Sequence, residues 1–178
     1  MKIENAFEVP ESRAAVWQLL NDVPRVVPCI PGATLTHGGA DDEQWQAEFP
    51  VTLGPVVMIF DATITREVAN EADGVVRLAV KAREKKGRGA ATANVESRLE
   101  DVAASTRVTV STDLRLQGTV ARMGRSEIVE DVSRQMTDSF AHCLKAKLAD
   151  GDAAPAASAP EMRITLRTVL SSFLRRFR

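Results

Sequence analysis

The chain has no tyrosine and few aromatic residues of any kind, 4% of its 178 residues. Catalysis by a phenol is excluded. Imidazole chemistry is confined to His37 and His142, which stand far apart in sequence and read as solvent-facing or locally bonded. Only two cysteines are present, Cys29 and Cys143, with no CxxC spacing, so they cannot frame a metal site by themselves. No histidine neighbours Cys29 in "PCIPGA", which reads as a buried, reduced structural thiol and not a nucleophile. Signatures of a serine hydrolase, a zinc protease, a Walker loop or a Rossmann turn are absent, and "GRGAA" at 87–91 carries the glycines of a turn. No catalytic residue and no metal ligand is therefore expected. No apolar run approaches the ~20 residues of a membrane span. "MKIENAFEVPES" also lacks the apolar centre of a signal peptide, so the reading is of an intracellular protein.

Excess charge is missing as well. With 23 basic and 24 acidic residues the net charge is −1, but the last 18 residues hold five Arg and one Glu. That local +4 leaves −5 on residues 1–160, a sign that argues against nucleic acid as a partner.

What is present is periodicity. "KIENAFEV" alternates as a strand up to Pro10, and "PESRAAVWQLLND" has helical spacing with Ser12 at its start and Asp22 and Pro24 at its end. Prolines at 24, 28 and 31 restrict "DVPRVVPCIPGA" to a short helical turn and an irregular loop. Five stretches of period-two patterning follow. Trp45, Ala47, Phe49, Val51 and Leu53 share one face, as do Val56, Met58, Phe60, Ala62 and Ile64. Val76, Leu78, Val80 and Ala82 form the next set, then Ala91, Ala93, Val95 and Leu99, then Val108, Val110, Leu114 and Leu116. Turns such as "NEADG" and "KKGRG" separate them, which describes an antiparallel meander with one dry face. Asp61 falls opposite Phe60, outward, where a salt bridge outside the core is its default. After Gly118 the period changes. Ile128, Val132, Met136, Phe140, Leu144 and Leu148 recur every fourth residue, a helix of about six turns with one apolar stripe. "ADGDAAPAASAP" at 149–160 has no periodicity and reads as a linker.

The fold expected is α+β, a curved antiparallel sheet of about seven strands around a long C-terminal helix. Its organisation is a domain at 1–148, a linker at 149–160 and a basic amphipathic segment at 161–178. The dry face is rich in small residues, and a curved sheet cannot close everywhere onto a straight helix, so an apolar cavity between them is expected. Its candidate lining is Trp17, Phe49, Met58, Phe60, Leu78, Ala93, Val95, Val110, Leu114, Met136 and Phe140. Pro28, Cys29, Ile30, Pro31 and Gly32 form a candidate loop at the mouth, with Gly32 suited to a positive φ.

"CIPGA" after the "PESRAAVWQLLNDV" helix, "KGRGAATANVESRL" and "LRLQGTVARMGRSEIVEDVSRQM" resemble the carbon monoxide dehydrogenase CoxG family, over roughly residues 1–148. That family belongs to the START-like, polyketide-cyclase-like superfamily of helix-grip folds. The resemblance implies a non-catalytic accessory protein of a molybdenum hydroxylase such as aerobic CO dehydrogenase. It further implies membrane attachment of that enzyme and a respiratory quinone, menaquinone or ubiquinone, carried in the cavity with no covalent cofactor.

The basic end fits that expectation. On a helical wheel Met162, Leu166, Val169, Leu170, Phe173, Leu174 and Phe177 fall in one arc, with Arg163, Arg167, Arg175 and Arg178 flanking it. Arg176 intrudes on the apolar edge, where its stem can snorkel. Such a helix suits an anionic membrane surface, placing the protein in the cytoplasm, peripheral on the inner face of the cell membrane. Folding back on the domain and docking in a partner's groove are the other readings of the tail. For the whole chain the alternatives to a quinone carrier are a ligand-free recruitment or maturation scaffold and a START-like cyclase or dehydratase. The last needs an inward-pointing acid-base group.

Overall fold

Alternation up to Pro10 builds strand β1 (Lys2–Val9), and Ser12 then starts α1 (Arg13–Asn21) by accepting the Ala15 N–H at 3.3 Å. The computed structural model describes residues 1–53, 56–123 and 126–150. The expected helix at 161–178 and the linker beyond Asp150 lie outside the described residues. Asp22 closes α1 and opens α2 (Val23–Val26), its carboxylate accepting the Arg25 N–H at 3.3 Å, and a 3-10 turn (Val27–Cys29) follows. Six strands come next: β2 (Thr34–His37), β3 (Gln44–Leu53), β4 (Val56–Asn70), β5 (Val75–Glu84), β6 (Gly89–Val102) and β7 (Ser105–Gly118). Helices α3 (Thr119–Met123) and α4 (Ser126–Ala149) end the described part.

The strands form one antiparallel sheet in the order β1-β7-β6-β5-β4-β3-β2. The expected meander and long helix are present. Two elements carry no legible period. β2 offers only Leu35 as an apolar residue in four, and α3 is a single turn between Gly118 and Gly124.

Burial divides the dry face into three clusters. The first joins Val9, Val16, Trp17, Leu19, Val26, Val76, Leu99 and Val108 to Leu144 of α4, with Phe7, Phe140 and Leu148 against them. The second gathers Val23, Val27, Trp45, Ala47 and Ile64 under the short helices. The third, at the far end of the sheet, holds Met58, Phe60, Ala62, Ala82 and Val120, flanked by Phe49, Ala91 and Leu116. Asp61 points outward as expected and pairs with Lys85 at 3.6 Å.

One expectation is overturned. Cys29 is not a free thiol: it forms a disulfide with Cys143, their Cα atoms 5.4 Å apart across 114 positions of sequence. Leu144 anchors α4 in the first cluster and so delivers its neighbour Cys143 to the 3-10 turn. No spacing rule reveals a meeting made by two elements crossing. The argument for a reduced setting loses its cysteine support with it.

Gly32, in the same loop, has φ +74°, and a Cβ there would lie 2.6 Å from Pro50 Cγ. Only glycine fits both the left-handed backbone and the close approach of β3.

Candidate ligand site

Helix α4 is held at one end. Phe140, Leu144 and Leu148 engage the first cluster, Phe7 meets Phe140 edge-on at 6.3 Å between ring centroids, and the disulfide adds a covalent link. Its close backbone approaches are to β1, α1 and the 3-10 turn, not to β5, β6 or β7. The amino-terminal half therefore spans the middle of the sheet. There Val129, Val132 and Met136 are half-buried and belong to none of the three clusters.

Opposite them, between the first and third clusters, the sheet presents two cross-strand rows. One is Val80, Ala93 and Leu114; the other is Leu78, Val95 and Thr112. All six are half-buried, although alternation points them inward. Two facing apolar surfaces, neither fully covered by protein, are what a ligand slot between sheet and helix requires.

The expected lining residues divide accordingly. Leu78, Ala93, Val95, Val110, Leu114, Met136 and Phe140 are half-buried on these facing surfaces. Trp17 belongs to the first cluster, and Met58 and Phe60, with Phe49 stacked on Phe60 at 5.5 Å, belong to the third. Of the mouth loop, Cys29 and Pro31 are buried, Ile30 is half-buried, and Pro28 and Gly32 are exposed. The disulfide pins this loop to α4.

Glu84, overlooked in the sequence, is an inward carboxylate. It follows Ala82 on the dry side of β5 and its side chain is 1% exposed. The Arg88 guanidinium donates to it at 2.7 Å, and the backbone N–H groups of Lys86 and Arg88 donate at 2.9 and 3.1 Å. These bonds, that of the Arg88 side chain foremost, lower its pKa from 4.5 to about 2. It is fixed as an anion across the β5–β6 hairpin and is not a proton donor or acceptor near neutrality. An alternating strand ending in Glu with Arg four residues later was the available signal. Because the folded-state pKa lies below the unfolded one, this stabilisation is present above pH 4.5 and fades as pH falls towards 2. Glu84→Gln is expected to be less stable than the parent at pH 7, the two denaturation curves converging as pH drops through that window. A constant gap across it would mean that the carboxylate's charge is not what matters.

A groove of about 590 Å³ lies on the sheet's other face, where Gln46, Asp61, Thr63, Lys81, Arg83, Thr92 and Gln117 point outward between the backbones of buried alanines. It is polar and open. It does not suit a greasy ligand. Among the described residues no His, Cys, Asp and Glu cluster has the makings of a metal site, and no helix is long and apolar enough to cross a membrane.

Comparison with known proteins adds the family. Residues 6–149 match the carbon monoxide dehydrogenase CoxG family. The chain belongs to that family. No curated protein matches it. Among solved structures, a conserved protein from Geobacillus kaustophilus is similar at 20% identity and TM-score 0.73, covering 85% of this chain and 97% of that one. A START superfamily protein from Mycobacterium smegmatis has 13% identity and TM-score 0.57, covering 84% and 97%. The Zhui aromatase/cyclase from a Streptomyces species has 13% identity and TM-score 0.59, covering 84% and 93%. At such identities these likenesses show the START-like helix-grip fold. Family and fold together suggest a ligand-binding accessory protein, associated by the family's description with a carbon monoxide dehydrogenase system.

Proposed function

We propose that this CoxG family member is a non-catalytic carrier that holds a respiratory quinone between the amino-terminal half of α4 and the middle of its sheet. Held at the membrane by residues 161–178, it links a molybdenum-containing CO dehydrogenase-type enzyme to the quinone pool. The observation that supports the reading most is the pair of facing, half-covered apolar surfaces, Val80, Ala93, Leu114, Leu78 and Val95 against Val129, Val132 and Met136. A long isoprenoid gains about 25 cal/mol for each Å² of apolar surface that such walls remove from water. Acid-base catalysis of the cyclase type has no evident agent there, since the buried Glu84 stays ionised.

The tail supplies location in this proposal. Five arginines near an anionic surface contribute on the order of 1 kcal/mol each, and Leu166, Val169, Leu170, Phe173, Leu174 and Phe177 bury apolar area. The site of action is then the cytoplasmic face of the cell membrane. Full-length protein purified without detergent is expected to release a quinone on solvent extraction, identified by its mass, and to take one up from quinone-loaded liposomes. Deleting residues 161–178 is expected to abolish sedimentation with anionic vesicles while leaving bound quinone in place. Repeated extraction that yields no quinone, together with no uptake from liposomes, overturns the carrier reading and leaves the ligand-free scaffold.

A further inference from the structure

Alternation makes Asn5 the one inward polar residue of β1, between Ile3 and Phe7. Its side-chain amide donates to the Ser133 hydroxyl of α4 at 2.8 Å, and both residues are half-buried. This bond ties the sheet to the half of α4 that stands away from the core. It leaves two hydrogen-bonding functions unspent within the described residues. The Asn5 Oδ1 accepts nothing, and the Ser133 hydroxyl proton is given to nothing. Neither oxygen is among the fully buried atoms that lack a partner, so both retain accessible surface. The half-buried Thr112 hydroxyl adds a third polar group on the same face, in register with Ile3 and Val95. Everything else around them is apolar: Phe7, Val110 and Phe140 on one side, Val95 and Met136 on the other.

We infer that Asn5 and Ser133 form the seat for the polar end of the bound ligand, and that this seat accepts the ligand in both its oxidised and its reduced form. The inference rests on the carrier reading above. A ring carbonyl needs a donor, which the Ser133 hydroxyl supplies. A ring hydroxyl needs an acceptor, which the Asn5 Oδ1 supplies. Because the two stand side by side, neither redox state leaves a buried polar group unsatisfied, and neither is strongly preferred. The same hydrogen bond that sets the seat holds α4 at its distance from β1. The ligand then lies with its head against β1 and its chain along the Val80, Ala93 and Leu114 row. Carrying a molecule that is reduced at one station and oxidised at another calls for this lack of preference.

The test uses full-length protein and three probes of similar shape: decylubiquinone, decylubiquinol kept reduced without thiols under anaerobic conditions, and decylbenzene, which has no oxygen. Dissociation constants for the parent are expected to agree within about 3-fold between quinone and quinol, with decylbenzene weaker by about 3- to 10-fold, the worth of one or two net hydrogen bonds. Ser133→Ala is expected to weaken the quinone more than the quinol. Asn5→Leu is expected to bring both down to the level of decylbenzene, whose own binding persists and reports that the fold is intact. Should Asn5→Leu lose decylbenzene too, the quinone-to-quinol ratio in Ser133→Ala decides. If none of the probes binds the parent, the carrier reading fails and the seat with it. If all three bind equally and neither variant alters the ratios, the seat alone fails.

Discussion

Breaking the Cys29–Cys143 bond is expected to lower the free energy of unfolding by about 4–5 kcal/mol, the largest effect any single change should have on this fold. The figure follows from where the bond sits in the chain: it spans 114 positions, nearly the whole described domain. A cross-link stabilises mainly by denying the unfolded chain the freedom it would otherwise have, and the effect grows with the logarithm of the loop closed. For comparison, a typical domain is stable by only about 5–15 kcal/mol, so the loss is a large share of the total. It also acts where the domain is least covered. The bond joins the loop at 28–32 to α4 near Leu144, the residue that seats the helix in the first cluster. Denaturant unfolding of the oxidised protein, the thiol-reduced protein and the Cys29→Ser/Cys143→Ser double variant provides the measurement. The latter two are expected to coincide, with a lower midpoint and a steeper slope, because an uncrosslinked chain exposes more surface when it unfolds. Coincidence of all three curves would show that the bond is absent in solution.

The disulfide also marks the boundary of what the sequence could tell. Strands β3 to β7 are legible because one face is wet and the other dry, so every second residue announces its side; the assignment of Asp61 outward and Ala62 inward follows from this alone. Helix α4 is legible for the same reason at a period of four. Legibility fails where an outcome depends on two elements meeting. Cys29 and Cys143 each sit in an ordinary local setting, and only the crossing of α4 over the 3-10 turn brings them together. Glu84 reads locally as one more charged residue of "REKKGRG", yet the hairpin folds Arg88 back onto it and makes it a buried, ionised clasp. The candidate lining shows the same limit. Periodicity identifies which side chains point inward, but it cannot separate Met58 and Phe60, which fill the third cluster, from Ala93 and Leu114, which fill none. That distinction depends on where a straight helix parts from a curved sheet.

Ala93 is where that parting can be tested. It lies at the centre of the Val80, Ala93, Leu114 row and is half-buried, with no cluster claiming it. Ala93→Phe adds a ring of roughly ligand-like bulk to the floor of the proposed slot. In a close-packed interior such an insertion costs about 1–3 kcal/mol, because side chains must leave their rotamers. Above an unfilled slot it costs little, and burial of the ring offsets part of any strain. The expected outcome is therefore a split: a melting temperature close to that of the parent, and quinone affinity reduced on the order of 100-fold, equivalent to about 2.7 kcal/mol at the ligand. Ala90→Phe supplies the control, since Ala90 lies on the same strand but faces the polar outer groove; it is expected to leave quinone binding unchanged. A destabilised Ala93→Phe protein would mean that sheet and helix already fill the space between them. A stable one that binds quinone as well as the parent would place the ligand elsewhere on the molecule. Only the combination of an undisturbed fold and a lost ligand is produced by a slot that the protein's own side chains leave open.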